Sequence, residues 1–436
     1  MTRLSHPSNA IIARLASLVG LLVLLGTATA AQAQLFTVLH EFTGGEDGSN
    51  PYSSLAMDRS GNLYGVVPFG GHQSCETQNG IGCGTVFKLA HRGSGWVFSP
   101  LYEFTSGSGG SIPVGTPYIA PDGTIYGTTD GGGNLNCRDT FGDGCGTIFH
   151  LRPQPNICAS LSCPWINTVL YTFTGALDGS DPLAGVVLDA AGNVYGTTYQ
   201  GGDAAGGVYE LSPSGSGWIL VAIHTFAGGT DGAFPFSGVI LDSSGNLYGT
   251  TLYGGSAGNC QDGGCGTVYQ LVLQNTRWVE NILYNFPADQ NGPLGGVIFD
   301  PTGNLYGTFA GDNNGVYELE PSAGSWMFTT LYAQDYGRQS FHSSMARDAG
   351  GNLYGVSEYG GNFNCNNGCG LVYKLSPSDG GWTYSQVYAF TGGSDGAYPY
   401  GGVILDSNGN IYGTTSSGGT HTCGSQGCGV VWEISQ

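Results

Sequence analysis

One pentapeptide recurs along the whole chain. Gly-Asn-Leu-Tyr-Gly stands at 61–65, 245–249, 303–307 and 351–355, and variants of it occupy Gly123–Gly127, Gly192–Gly196 and Gly409–Gly413. The seven copies follow one another at 62, 69, 53, 58, 48 and 58 residues. A repeat of this length, built from short strands and glycine turns with no helical period, cannot bury a hydrophobic face alone, so neighbouring copies must stack.

The fourth copy shows the unit in full. Gly238–Asp242 reads as a first strand, and a Ser-Ser-Gly turn leads to a second at 246–251. A glycine-rich loop holding Cys260 and Cys265 precedes a third strand at 266–271, and Trp278 opens a fourth that runs to Phe286. Four antiparallel strands per unit and seven units predict an all-β chain folded as a seven-bladed β-propeller. Trp and Phe are eight residues apart in five fourth strands, at 96/104, 165/173, 218/226, 278/286 and 382/390. In the remaining one Trp326 meets Gln334. An even separation on a regular strand predicts both rings on one face, against the next blade.

The ends fit a closed ring. Leu35–Phe42 has the pattern of a fourth strand with no blade before it, and Val430–Ile434 that of a third strand with none after it. The N-terminal strand is therefore expected to complete the last blade and leave no open sheet edge. Ahead of it, Arg3 and Arg14 precede the apolar run Leu15–Leu25 and the small residues at 28–33. That order predicts a secretory signal peptide over 1–33, cut after Ala33, and one propeller domain over 34–436. The apolar run is shorter than the roughly 20 residues a membrane helix needs, and no later segment is longer. The expected product is a monomer, secreted or periplasmic. Eleven basic against 31 acidic residues give −20, which argues against nucleic acid and anionic membranes as partners. Glycine numbers 79, but 40% hydrophobic and 12% aromatic residues exclude both collagen and simple disorder.

Twelve cysteines form six close pairs: Cys75/Cys83, Cys137/Cys145, Cys158/Cys163, Cys260/Cys265, Cys365/Cys369 and Cys423/Cys428. In an exported chain an even count at short spacings reads as disulfides. Zinc would call for two Cys-x2–4-Cys pairs close together, and each pair here stands alone in its repeat. Copies three and five have short loops and lack both cysteines, as a loop staple predicts.

Three motifs in fixed order complete the unit. They are Leu-Tyr-x-Phe-Thr-Gly-Gly-x-Asp-Gly-x-x-Pro, then Gly-Val-Ile-Leu-Asp-x-x-Gly-Asn-Leu-Tyr-Gly-Thr-Thr-x-x-Gly-Gly, then Gly-Cys-Gly-Thr-Val-Tyr-x-Leu-Ser-Pro, best seen over residues 387–434. In these the chain resembles the GloVer tandem-repeat family. The resemblance implies an exported bacterial propeller-like protein and carries no particular activity with it. Members differ in their C-terminal anchors, and this sequence stops on a strand, so an unanchored form is expected.

Strand alternation puts five cysteine pairs on one rim with the Phe-Thr-Gly-Gly-x-Asp-Gly connections; Cys158/Cys163 is expected on the other. That rim carries Asp47, Asp178, Asp231 and Asp395, with Tyr52, Phe236 and Tyr400 beside prolines. Two readings stand side by side: an acidic and aromatic ring that binds sugars or Ca²⁺, or Asp-Gly turns and strand starts. No resident cofactor or metal is expected. Asp58, Asp189, Asp242, Asp300, Asp348 and Asp406, three residues before the repeat glycine, read as hairpin residues. Catalysis needs residues that break the symmetry, and the sixth repeat offers Asp335, Arg338 and His342 as acid, anion clamp and base. Drift of a redundant repeat explains them equally well. The other histidines, His224 among them, show no metal spacing. The expectation is therefore a non-catalytic exported module binding an extracellular polysaccharide or an envelope or secreted protein. The alternative is a polysaccharide lyase or hydrolase using the sixth repeat.

Overall fold

The turn between first and second strands explains the recurring pentapeptide. In the computed structural model, Oδ1 of Asp242 accepts the backbone N–H groups of Ser244 and Asn246, at 2.8 and 2.9 Å. Its Oδ2 accepts from Asn246 Nδ2 and Tyr248 Oη. Asp58, Asp189 and Asp406 make the corresponding bonds, and Asp348 makes those from Asn352 and Tyr354. At Asp300 the Asn304 amide turns to Glu318 instead. Asp, Asn and Tyr thus form one local network, and burial of Asp242 is outweighed by these donors, which hold its carboxyl below the ordinary range.

The second glycine of the pentapeptide answers to packing. Gly249 lies opposite Tyr269 of the third strand, and a Cβ there would stand 2.4 Å from the phenol oxygen. Phe87, Phe149, Tyr209, Tyr317, Tyr373 and Trp432 press on the matching glycines of the other blades. These rings are fully or almost fully buried and form the centre of each inter-blade core. The motif makes a turn at one end and room for an aromatic ring at the other.

The structure describes residues 34–72, 75–77, 80–93, 95–137, 144–154, 165–201, 205–255, 265–287, 290–311, 313–335, 341, 343–424 and 426–436. Seven antiparallel sheets run from first strands at the axis, two residues long except for Ser111–Ile119 of the second blade, to long fourth strands outside. The first blade is Ala56–Met57, Leu63–Val67, Thr85–Arg92 and Gly95–Glu103. In the fifth, Gln290–Asn291 adds a short extra strand. The last blade consists of Ile404–Leu405, Ile411–Thr415, Val430–Ser435 and, outermost, Leu35–Glu41. Register from Leu35 opposite Ser435 to Glu41 opposite Val430 closes the ring as expected. Among the described residues no helix is long and apolar enough to cross a membrane.

The expectation for the Trp/Phe pairs is corrected. Trp96 packs on Tyr412 of the preceding blade, whereas Phe104 packs on Phe149 of the following one. Trp278 and Phe286 divide in the same way, toward Tyr195 and Tyr317. The cause is a β-bulge. Register shifts at the same place in all seven blades, opposite Val86/Phe87 in the first and at Val38/His40 in the closing strand. One extra residue moves everything beyond it to the other face. Each fourth strand therefore grips both neighbours.

Candidate functional site

All seven blades line one axial cavity of about 680 Å³, within the range of small-ligand sites. Tyr52, Phe69, Phe236 and Tyr400 contribute aromatic surface, and Tyr52 and Tyr400 meet edge to face at 5.7 Å. Among the lining residues Asp130 alone is charged, and it is buried. Burial, then the nearby Glu358 carboxylate, raises the hydroxyl of Tyr52, and the same causes push Tyr400 up to about 12. Both rings are neutral hydrogen-bonding platforms at physiological pH.

A strained backbone aims these rings. Asn50, Ile112, Asp181, Phe234 and Tyr398 each precede a proline and each have φ between 54° and 56°. That left-handed conformation costs bulky residues about 1–3 kcal/mol apiece. It is held across the seams: Asn50, Ile112, Phe234 and Tyr398 donate their N–H groups to the carbonyls of Cys428, Cys83, Ala205 and Cys369 of the preceding blade. Tyr52, Phe236 and Tyr400 lie two residues further on. The glycine after each of those cysteines takes the next blade's proline against it, and a Cβ on Gly370 would come within 2.3 Å of Pro399. The Gly-Cys-Gly motif is thus the mount for the mouth of the cavity.

Disulfides fix the mount. Cys75–Cys83, Cys137–Cys145, Cys365–Cys369 and Cys423–Cys428 are bonded, and Cys265 is bonded to a residue outside the described set. Cys158, Cys163 and Cys260 lie outside the described residues. The sulfurs of Cys423, Cys137 and Cys365 leave no room for a Cβ on Gly44, Gly175 and Gly392, the first glycines of the Thr-Gly connections. Stapled loops and connections therefore share one rim.

The rim aspartates are engaged in their own turns. Asp47 accepts from the Thr43 amide and hydroxyl and lies 3.0 Å from His40 Nε2. Burial of Asp47 is overcome by the bonds from His40 and Thr43, which hold its carboxyl low. Asp178 and Asp395 each take the same set from a Thr and a Tyr. Of the sixth-repeat candidates, Arg338 and His342 lie outside the described residues, as does the side chain of Asp335, whose backbone ends a fourth strand.

Asp231 departs from this pattern, at a position the spacing of histidines did not reveal. Ala227 replaces the threonine, so Asp231 keeps the backbone donor and loses the hydroxyl. Its Oδ1 stands 3.3 Å from His224 Nε2, which in turn is 3.6 Å from Oε1 of Glu280 in the next blade. Nε2 of His224 and Oε1 of Glu280 are buried, and Asp231 is the carboxylate that both face. Burial, then Asp231, pushes the Glu280 carboxyl up to about 9, while burial lowers the imidazole of His224 against the pull of Asp231. Among the described residues this is the one group of three His, Cys, Asp or Glu side chains close enough to share an ion. His224 and Glu280 are 56 residues apart. A signal existed only in the exceptions: Ala227 where four connections have Thr, and a carboxylate at Glu280 where the other blades have Phe, Tyr, Asn or Leu.

Solved structures of similar shape have unrelated sequences. An ancestral GH74 enzyme matches with a TM-score of 0.54 at 10% identity, over 89% of this chain and 48% of that one. The extracellular domain of a protein described as a hybrid two component system from B. thetaiotaomicron matches with 0.51 at 14%, over 93% and 43%. The chain thus spans less than half the length of either, and the likeness is one of fold. No curated protein matches by sequence. The model of the Gloeobacter/Verrucomicrobia repeat matches residues 138–365 and 261–435, more than half of the sequence, and the chain belongs to that family.

Proposed function

We propose that this protein is an exported binding module, and that it takes an uncharged segment of an extracellular polysaccharide into the mouth of its axial cavity. The observation that carries this reading is the aromatic mouth, where Tyr52 and Tyr400 meet over a cavity with one charged residue in its lining. Sugar rings offer apolar C–H faces that stack on such platforms and hydroxyls that meet the surrounding backbone groups and serines. A chain of net charge −20 favours a neutral glycan over a polyanion. The strain before each proline supports the same reading, since backbone held off its preferred conformation clusters at ligand sites.

The test is a thermal-shift screen of the disulfide-intact chain with neutral soluble glycans. A binding glycan should raise the midpoint of the native protein and leave that of a Tyr52→Ala/Tyr400→Ala variant unchanged. Equal shifts in both proteins would remove the mouth from the account. Release of shortened sugars on prolonged incubation would instead place the protein among glycan-cleaving enzymes.

A further inference from the structure

We propose that the seam between the third and fourth blades holds a divalent transition-metal ion of the zinc type, bound by His224 Nε2, Asp231 Oδ1 and Glu280 Oε1. The surrounding seams show what this site replaces. At four of the other six seams the residue in the place of His224 stacks on an aromatic ring of the next blade, while Asn167 and Leu220 take the partner position at the first and second seams. His40 lies on Phe98 at 3.8 Å, Tyr284 on Phe328 at 4.1 Å, Tyr332 on Tyr384 at 4.3 Å and Tyr388 on Phe36 at 4.1 Å. At the third seam that ring is Glu280, and the flat stack becomes a polar gap.

The gap has the dimensions of a coordination shell. Bonds of about 2.0–2.1 Å from imidazole nitrogen and carboxylate oxygen to zinc imply ligand-to-ligand edges of about 3.3–3.4 Å in a tetrahedron. The observed edges are 3.3 and 3.6 Å, and all three ligand atoms lie within 4.8 Å of one another. Nε2 of His224 and Oε1 of Glu280 are buried and find no polar partner among the described residues outside the trio itself, a state that protein interiors rarely leave unanswered. A doubly charged ion would satisfy both and balance the two carboxylates. One nitrogen and two oxygens suit zinc and its neighbours; calcium prefers six to eight oxygens. His224 lies on the fourth strand of one blade, Asp231 on the connection that follows it and Glu280 on the fourth strand of the next, so the ion would tie two blades together where four of the other seams use stacked rings.

The experiment uses the disulfide-intact chain, stripped with a chelator and then titrated with zinc chloride in a calorimeter. The expected result is one equivalent bound, with a rise in the unfolding midpoint of about 3 °C at a hundredfold excess over the dissociation constant. Glu280→Gln and His224→Ala should each weaken binding at least tenfold. Glu280→Phe, which gives His224 the partner that His40 has in Phe98, should abolish it while keeping the metal-free midpoint at or above the native one. That variant separates loss of a ligand from loss of folding. Failure of the native chain to bind zinc would overturn the proposal. So would equal binding by native, Glu280→Gln and Glu280→Phe proteins.

Discussion

The axial mouth and the seam between the third and fourth blades use the repeat in opposite ways. The mouth is a sum: every blade contributes to it, and similar left-handed turns present Tyr52, Phe236 and Tyr400 toward one cavity. The seam is an exception, made by Ala227, which denies Asp231 a hydroxyl, and by Glu280, which alone among the seven blades puts a carboxylate at its register position. Repetition builds a wide, even surface suited to a large ligand. A compact cluster with a defined charge arises where repetition fails, because such a cluster is needed once and seven copies would each bury unpaired carboxylates.

Removing what both regions depend on should have the largest effect. Without residues 34–42 the last blade loses its outer strand together with Phe36, Val38 and Phe42, which pack into two inter-blade cores. Stability should fall by roughly 5 kcal/mol or more, read as an early, broadened unfolding transition. An unchanged transition would mean that the ring does not need its clasp. Gly249→Ala comes next. Its methyl would press on Tyr269, and chemical unfolding should register a loss of about 1–3 kcal/mol, whereas Gly245→Ala, with open space around it, should report only turn strain. Equal losses at the two positions would show that ring packing does not set the motif.

The pH dependence of stability distinguishes the two kinds of carboxylate by sign. Asp242 and Asp348 have lowered native values, so their contribution is present above the ordinary carboxylate range and lost as pH falls through the native values. Glu280 has a raised one, near 9 against 4.5. Between those limits the native state holds a proton that the unfolded chain releases, so Glu280 should erode stability as pH rises from about 5 to 9. In chelator, Glu280→Gln should flatten that slope and Asp242→Asn should weaken the protein mainly at neutral pH. Parallel curves for native and Glu280→Gln proteins would show that Glu280 does not hold the proton.

Much of this molecule was legible because its determinants are local and repeated. Asp242, Gly245, Asn246 and Tyr248 interact within seven residues, and four described cysteine pairs bridge short loops, so spacing alone located blades, turns and those staples. The bulge was not legible: Leu101 looks like any strand residue, and its extra position appears only in the register of the partner strand. Spacing alone consequently predicts one face for Trp96 and Phe104, which the bulge divides between two. Nor could His224 be joined to Glu280, because the ring, and no sequence interval, brings them together. The rim was readable as a rim, with Tyr52, Phe236 and Tyr400 on it. That Asp47, Asp178 and Asp395 spend their oxygens on their own threonines required the geometry.

The central claim is that the mouth binds a neutral glycan. Calorimetric titration of the disulfide-intact chain with the best glycan from the screen tests it most directly, alongside Tyr400→Ala and Glu280→Gln proteins. The account predicts saturable binding, weakened about tenfold by Tyr400→Ala for the loss of one stacking platform, and unaltered by Glu280→Gln. Binding that ignores Tyr400 and follows Glu280 would contradict it.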